Sequence, residues 1–206
     1  MTSEGTARAD VAWPAGRARR VRDPAFLLVL THGSGGEPES ADLLAVRDAV
    51  LPLGAVVALV TQPYRVKGRP APGPPARQDA AWIEIIDALR PMAGLHVPLV
   101  QGGRSNGARV ACRTAAAAGA RAVLALAFPL HPPGRPEKSR AGDLALAGTD
   151  VLVINGSRDP FGIPDQAART RVVVLDGETH TLSSKPGTVG AIAAAWLADL
   201  PGLAHT

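Results

Sequence analysis

The stretch Gly-Arg-Ser-Asn-Gly at residues 103–107 decides the fold, because it has the form G-x-S-x-G and lies between a predicted strand and a predicted helix. The apolar run 97–100 precedes it, and an alanine-rich stretch that predicts a helix over about 106–118 follows. A serine on a sharp turn from a strand into a helix presents its hydroxyl at the top of a parallel sheet, and flanking glycines relieve the crowding there. We therefore predict that Ser105 occupies such a turn.

Apolar runs and helical patterns alternate from residue 26 to the end of the chain. The runs that predict strands are 26–31, 55–61, 97–102, 122–128, 151–155 and 171–175. Each is nearly continuous in apolar residues, as expected of parallel strands that are buried on both faces. The alternation predicts an α/β fold with a mostly parallel sheet and helices on both faces.

The length of 206 residues suits one domain with one core. We expect an N-terminal edge segment over 1–23, an α/β domain over 24–200 and a short tail over 201–206. The proline-rich stretch 69–77 predicts a surface loop, and no segment is long enough to form a separate cap domain.

Two helices are predicted in more detail from the spacing of their apolar residues. One stripe precedes Pro91, which we expect to end the helix; it consists of Trp82, Ile85, Ile86 and Leu89. The helix after Ser105 has a face of small residues that we expect to pack on the sheet; they are Ala108, Ala111, Cys112, Ala115 and Ala116.

Candidate catalytic residues follow the strand ends. Asp159 and His180 each come just after an apolar run, and the order Ser, Asp, His along the chain is that of an α/β-hydrolase triad. A serine hydroxyl needs a base to remove its proton, and the base needs a third group to hold its tautomer. We assign these roles to Ser105, His180 and Asp159. Other acids near the strand ends are Asp143, Asp165, Asp176 and Glu178. Asp165 lies too far into the following segment, and Asp176 and Glu178 lie too close to His180 in the same loop.

Two backbone N–H groups are expected to stabilise the developing oxyanion. One belongs to Asn106, which follows the nucleophile, and the other to the loop His-Gly-Ser-Gly-Gly at 32–36, at Ser34 first and Gly35 second. We expect His32 to hold this glycine loop rather than to take part in catalysis.

Four loops are expected to form the walls of the substrate pocket: 33–39, 62–77, 130–140 and 160–165. Besides Gly35, the candidate substrate-binding residues in them are Tyr64, Arg65 and His131. Two of the loops are basic, which favours a small anionic substrate through electrostatic steering.

The composition argues against several classes of partner. Lys and Arg outnumber Asp and Glu by 22 to 18, but the one basic cluster lacks interleaved aromatic residues, so we expect no nucleic-acid partner. That cluster consists of Arg17, Arg19, Arg20 and Arg22. The longest uncharged stretch, 49–64, contains prolines and a glycine and is too short for a membrane span.

Cys112 is the single cysteine, so an internal disulfide is excluded and we expect a core thiol in a reducing compartment. Residues 1–22 lack the apolar core of a secretory signal, which makes a cytoplasmic location the expectation. The glycine loops lack nucleotide-binding endings and the five histidines lack metal-ligand spacing, so we expect no cofactor and no metal.

The longer segments resemble a known family. They are LTHGSGG (30–36), TQPYRVKGR (61–69), GGRSNGARVACRT (102–114), AFPLHPPGRPEKSR (127–140), VLVINGSRDPFG (151–162) and ETHTL (178–182). The chain is similar to small α/β-hydrolase-like proteins grouped with testis-expressed protein thirty and the third subunit of the NSL histone acetyltransferase complex, which resemble dienelactone-type hydrolases without a cap. The resemblance implies triad positions at Ser105, Asp159 and His180.

Two functions follow as hypotheses. The first is a serine hydrolase that acts on a small ester, thioester or lactone through an acyl-enzyme. The second is a binding or scaffold protein that retains the fold for a partner, since the resembling family includes a complex subunit. An intact triad favours the first hypothesis.

Overall fold

One seven-stranded sheet organises the chain. The computed structural model describes residues 1–14 and 24–203, so the basic cluster at 17–22 lies outside the described residues. Within these described residues the strand order is β1-β3-β2-β4-β5-β6-β7, and only β1 runs antiparallel to its neighbour. The strands are β1 (Arg8–Ala12), β2 (Leu27–Thr31), β3 (Val56–Thr61), β4 (Leu99–Arg104), β5 (Ala122–Leu126), β6 (Asp150–Gly156) and β7 (Thr170–Leu175).

The six strands predicted from the sequence are all present, with ends shifted by up to two residues. The seventh, β1, was missed. It pairs with β3 at the edge of the sheet, with Asp10 opposite Leu59, and most of its residues are exposed. An edge strand of this kind has no continuous apolar run, so the pattern that identifies buried strands does not detect it.

Helices cover both faces of the sheet, as predicted. The helices are α1 (Ala41–Val50), α2 (Pro63–Val66), α3 (Pro75–Ala93), α4 (Asn106–Ala118), α5 (Ala141–Ala145) and α6 (Pro186–Asp199), and a short 3-10 turn at Leu51–Leu53 follows α1. Alternate strand residues point to opposite faces. Leu28 and Leu30 pack with α1 and α6, whereas Leu27 and Val29 pack with α3.

Three local predictions about the helices are wrong. Pro91 does not end α3, which continues to Ala93, because the proline is exposed while Ala93 is buried in the core. Residues 75–77 belong to the first turn of α3 rather than to a loop, and proline suits that position because its missing N–H is not needed there. Ala116 is exposed on α4, so the buried face of that helix ends at Ala115 and resumes at Ala118.

Candidate active site

The turn between β4 and α4 places Ser105 at the carboxyl edge of the sheet. Ser105 has φ 53° and ψ −113°, a conformation that residues other than glycine rarely adopt. Hydrogen bonds on both sides hold it: its N–H donates to the carbonyl of Leu126 at 2.9 Å, and its carbonyl accepts from the N–H of Arg109 at 3.3 Å. The hydroxyl therefore projects from a strained but firmly held turn.

Two glycines allow this turn to form. A Cβ atom on Gly103 would lie 2.5 Å from the carbonyl oxygen of Thr31, and one on Gly107 would lie 2.7 Å from the carbonyl oxygens of both Thr31 and His32. These distances are shorter than real contacts, so the start of α4 can approach the end of β2 only because both side chains are absent. The G-x-S-x-G pattern is thus explained by packing at this point.

Ser105, His180 and Asp159 form a continuous chain of hydrogen bonds. The Ser105 hydroxyl donates to Nε2 of His180 over 2.9 Å, and Nδ1 of His180 donates to Oδ2 of Asp159 over 2.8 Å. The second distance also defines an ion pair whenever the imidazole is protonated. Three residues that are 21 to 75 positions apart are thus brought within hydrogen-bonding distance.

Asp159 is fixed in position behind the imidazole. Its side chain is 0% exposed, against 19% for His180. The other carboxylate oxygen, Oδ1, accepts the N–H of Phe161 at 2.9 Å. The Phe161 ring lies against the imidazole with ring centroids 4.1 Å apart. One face of His180 is therefore covered by an aromatic ring, which limits how far the imidazole can turn.

The glycine loop after β2 is held by His32. The ring donates from Nδ1 to the carbonyl of Gly33 at 2.7 Å and accepts at Nε2 from the N–H of Gln62 at 3.1 Å. Burial lowers the pKa of His32 below its usual value, and the hydrogen bond to Gly33 only partly offsets this effect. His32 is therefore a neutral residue that joins β2 to β3, in keeping with the structural role expected from the sequence.

A cavity of about 440 Å³ opens above Ser105. Several residues predicted for the site line it: Ser34, Gly35, Ser105, Asn106 and His180. Asn106 is the first residue of α4, and the first amides of a helix have no acceptor within the helix. The side chain of Asn106 is engaged elsewhere, donating to Gln78 at 2.8 Å.

The remaining candidates for substrate contact do not line this cavity. The Tyr64 hydroxyl lies behind the glycine loop and donates to the carbonyl of Ser34 at 2.9 Å, and burial raises its pKa to about 12. Arg65 pairs with Glu37. His131 donates from Nδ1 to its neighbour's carbonyl at 2.9 Å and packs against the Gly162 backbone. The loop 62–77 borders a separate cavity of about 240 Å³, so its prediction as a wall of the Ser105 pocket is wrong.

Sequence reasoning missed three residues that line the cavity: Arg104, Arg109 and Pro129. Arg140 and Phe161, which also line it, belong to the predicted wall loops 130–140 and 160–165, although neither was a candidate for substrate contact. Arg109 follows Ser105 by one helical turn, and Phe161 follows Asp159 by two residues, so their positions relative to the triad gave a usable signal. Arg104 donates to the carbonyl of His180 at 2.8 Å, a contact across 76 residues that no sequence pattern indicates.

Cys112 lies in the core, fully buried among small residues of α4 and β5. Burial, together with the charge of Asp143, raises the pKa of its thiol to about 12. Among residues 1–14 and 24–203, no group of three or more His, Cys, Asp or Glu side chains is arranged to hold a metal ion. No helix in the described part of the chain is both long and apolar enough to cross a membrane.

The sheet order, the turn at Ser105 and the hydrogen-bonded Ser, His and Asp define the class of α/β hydrolases. Residues 24–185 match the family described as alpha/beta hydrolase domain, so the chain belongs to that family. Membership of this family supports a hydrolase activity. No curated protein matches the sequence.

Solved structures with the same fold have little sequence in common with this chain. An alpha-beta serine hydrolase homologue from Coxiella burnetii is 13% identical with a TM-score of 0.76, covering 96% of this chain and 94% of that one. An α/β serine hydrolase without lid from Xanthomonas campestris is 19% identical with a TM-score of 0.69, covering 97% and 92%. Dienelactone hydrolase from Anabaena variabilis is 19% identical with a TM-score of 0.71, covering 95% and 91%. These similarities establish the fold.

Proposed function

We propose that the protein is a serine hydrolase that cleaves a small ester, thioester or lactone through an acyl-enzyme. The observation that carries this proposal is the hydrogen-bond chain from Ser105 through His180 to Asp159, at 2.9 and 2.8 Å. Such distances suit a nucleophile, its base and the group that orients the base. The serine also opens into a cavity, as a nucleophile must.

The proposed reaction runs in two halves. His180 Nε2 takes the hydroxyl proton as Ser105 Oγ attacks the carbonyl carbon, and the oxyanion is stabilised by the backbone N–H groups of Asn106 and of Ser34 or Gly35. His180 then gives the proton to the leaving alcohol, thiol or ring oxygen. Water attacks the acyl-enzyme with the same base, which restores Ser105. Asp159 accepts a hydrogen bond from Nδ1 throughout and stabilises the imidazolium.

The shape of the site favours short substrates. The cavity of about 440 Å³ is walled by the glycine loop, α4 and the loops after β5 and β6, and the described residues contain no inserted cap that would enclose a long acyl chain. The Xanthomonas campestris neighbour is likewise described as lacking a lid. We expect acetyl and butyryl p-nitrophenyl esters to give a higher kcat/KM than the decanoyl ester.

Three further assignments belong to this proposal. The narrower grouping with testis-expressed protein thirty and the NSL complex subunit rests on the sequence segments quoted above. The division into an edge segment over 1–23, a hydrolase domain over 24–200 and a tail over 201–206 rests on sequence pattern. A cytoplasmic location is in keeping with the single, buried cysteine.

Covalent labelling tests the proposal. A fluorophosphonate should modify the purified protein at one site, identified by mass spectrometry as Ser105, and Ser105→Ala should abolish both labelling and turnover. Ser3→Ala, which removes an exposed hydroxyl that does not line the cavity, is the control and should be labelled like the wild type. Failure to label Ser105 would overturn the hydrolase assignment in favour of a binding protein that retains the fold.

A further inference from the structure

Among the residues that the structure describes, three arginines and no acidic residue line the cavity above Ser105. The arginines are Arg104, Arg109 and Arg140, which come from β4, α4 and the loop before α5. A guanidinium stays charged at any ordinary pH. Because two of these arginines already have carboxylate partners, the charge that remains for a ligand depends on how the nearby acids are shared.

The acids near the cavity are already engaged by arginines other than Arg140. Asp143 accepts from Nε of Arg109 at 2.7 Å and lies 3.3 Å from Arg113. Arg113 also pairs with Asp79 at 2.6 Å. Two carboxylates therefore serve Arg109 and Arg113, and no acid is left for Arg140.

Arg140 has little to satisfy it. Its side chain makes one long hydrogen bond, from a terminal nitrogen to the carbonyl of Pro129 at 3.4 Å, and no carboxylate in the described part of the chain lies within ion-pair distance. Burial lowers the pKa of Arg140, and the nearby positive charge of Arg109 lowers it further, with Asp143 only partly opposing them. A half-buried cation without an acid partner costs free energy that an anionic ligand would recover.

Arg109 carries its positive charge on the same helix that begins directly after Ser105. It lies one helical turn after Ser105, which corresponds to a rise of roughly 6 Å along α4. Side chains on a helix lean toward its N-terminus, which here is the end that carries Ser105. Arg109, Arg140 and Ser105 all line the same cavity, so a ligand held at Ser105 shares that cavity with both guanidinium groups.

We propose that Arg109 and Arg140 form a carboxylate subsite of the Ser105 cavity, so that the substrate is a small ester or lactone that also carries a free carboxylate. The proposal rests on the proposed function, since it takes Ser105 to be the nucleophile that attacks the substrate carbonyl. A carboxylate is favoured over a phosphate monoester because of the net charge at this place. The guanidinium groups of Arg109, Arg113 and Arg140 face only two carboxylates, those of Asp79 and Asp143, which leaves a single positive charge. The two oxygens of a ligand carboxylate can also accept from both planar donor groups.

Matched pairs of esters test the subsite. Mono-p-nitrophenyl adipate carries a carboxylate on the acyl side, and its methyl ester is the neutral counterpart; 4-acetoxybenzoate and methyl 4-acetoxybenzoate form the same pair on the leaving-group side. We expect the anionic member of at least one pair to have the higher kcat/KM. In Arg140→Gln this preference should fall by about 10- to 100-fold, the loss expected for a charge-assisted hydrogen bond, while the neutral ester changes little.

Arg135→Gln is the matched control. Arg135 is exposed in the same loop, and its replacement removes the same charge from the protein. Long-range steering would weaken in both variants alike and would fade at high salt, whereas a binding contact is lost only in Arg140→Gln. Equal losses in the two variants, or an unchanged preference in Arg140→Gln, would overturn the subsite. If Arg140→Gln fails to fold, Arg140→Met replaces it, and an unchanged preference there also overturns the subsite, because methionine keeps an unbranched apolar stem but removes the charge and its hydrogen-bond donors.

A binding measurement separates this proposal from the proposed function. Calorimetry with Ser105→Ala protein and the preferred anionic ester needs no turnover. Weaker binding after Arg140→Gln, with no change after Arg135→Gln, supports the subsite even if Ser105 proves not to be a nucleophile. Binding that is unaffected by Arg140→Gln, or a stronger affinity for a phosphate monoester of the same length, contradicts it even if Ser105 is labelled.

Discussion

Nε of Arg104 lies 3.3 Å from Oδ2 of Asp42, whose side chain is fully buried in the first turn of α1. The same guanidinium donates to the carbonyl of His180 at 2.8 Å. Burial raises the pKa of Asp42, and the Arg104 charge acts in the opposite direction. The residue next to the proposed nucleophile thus connects the loop of the proposed base to the first turn of α1.

This relationship predicts separate effects on stability and on turnover. Arg104→Gln should cost about 3 kcal/mol of unfolding free energy, because it leaves a buried carboxylate unpaired, and should lower kcat by loosening the His180 loop. Adding Asp42→Asn removes the unpaired charge, so the double variant should regain most of the stability but not the turnover. Urea unfolding and steady-state kinetics of the three variants measure both quantities. Recovery of both together would mean that Arg104 has only a structural role.

The hydrogen bond between Asp159 and His180 predicts a large kinetic effect. Asp159→Asn should retain the fold but lower kcat by about 10⁴-fold, because an amide no longer holds the imidazole in the tautomer that accepts the serine proton. Asp165→Asn is the control, since Asp165 is an exposed acid in the same loop region. Circular dichroism should show both variants folded. A comparable loss in Asp165→Asn would show that the acid has been misassigned.

The close approach of α4 to β2 predicts a difference between two glycine substitutions. Gly107→Ala would place a methyl group 2.7 Å from two carbonyl oxygens, so we expect a loss of about 1–3 kcal/mol in stability and a displaced Ser105 turn. Gly35→Ala, where a Cβ atom meets nothing within 4 Å, should leave the unfolding midpoint nearly unchanged. Thermal unfolding of the two proteins makes the comparison, and similar midpoints would argue against the packing described for β2 and α4.

Burial of His32 predicts a pH-dependent stability. Its pKa is lowered in the folded protein, so the unfolded chain binds a proton more readily as the pH falls through 6.5. The contribution of neutral His32 is therefore fully present above that pH and is lost below it. His32→Gln should be less stable than wild type at pH 7.5 and should lose less stability between pH 7.5 and 5. Chemical unfolding at several pH values measures this slope, and parallel curves for the two proteins would refute the prediction.

The positions of the central strands could be predicted because burial on both faces requires a continuous run of apolar residues. Strands such as β3 and β6 are buried on both faces, so their residues are apolar almost without interruption. The edge strand β1 and the continuation of α3 past Pro91 have no such apolar run, since each depends on which side of the element faces solvent. Exposure is a property of the assembled fold and is not contained in a short window of sequence.

The sequence by itself determined the α/β class and identified Ser105, Asp159 and His180 as candidates for a triad. It could do so because strand pattern and position after a strand end are local properties. Their roles in catalysis stay predictions. Only the tertiary structure decided what surrounds them: Phe161 against the imidazole, Arg104 between Asp42 and His180, and Arg109 with Arg140 in the cavity. These contacts join segments that are distant in the chain, and their geometry depends on how helices and loops pack over the sheet. That packing also excluded Tyr64, Arg65 and His131 from the cavity, although each belongs to a loop that the sequence places at the same edge.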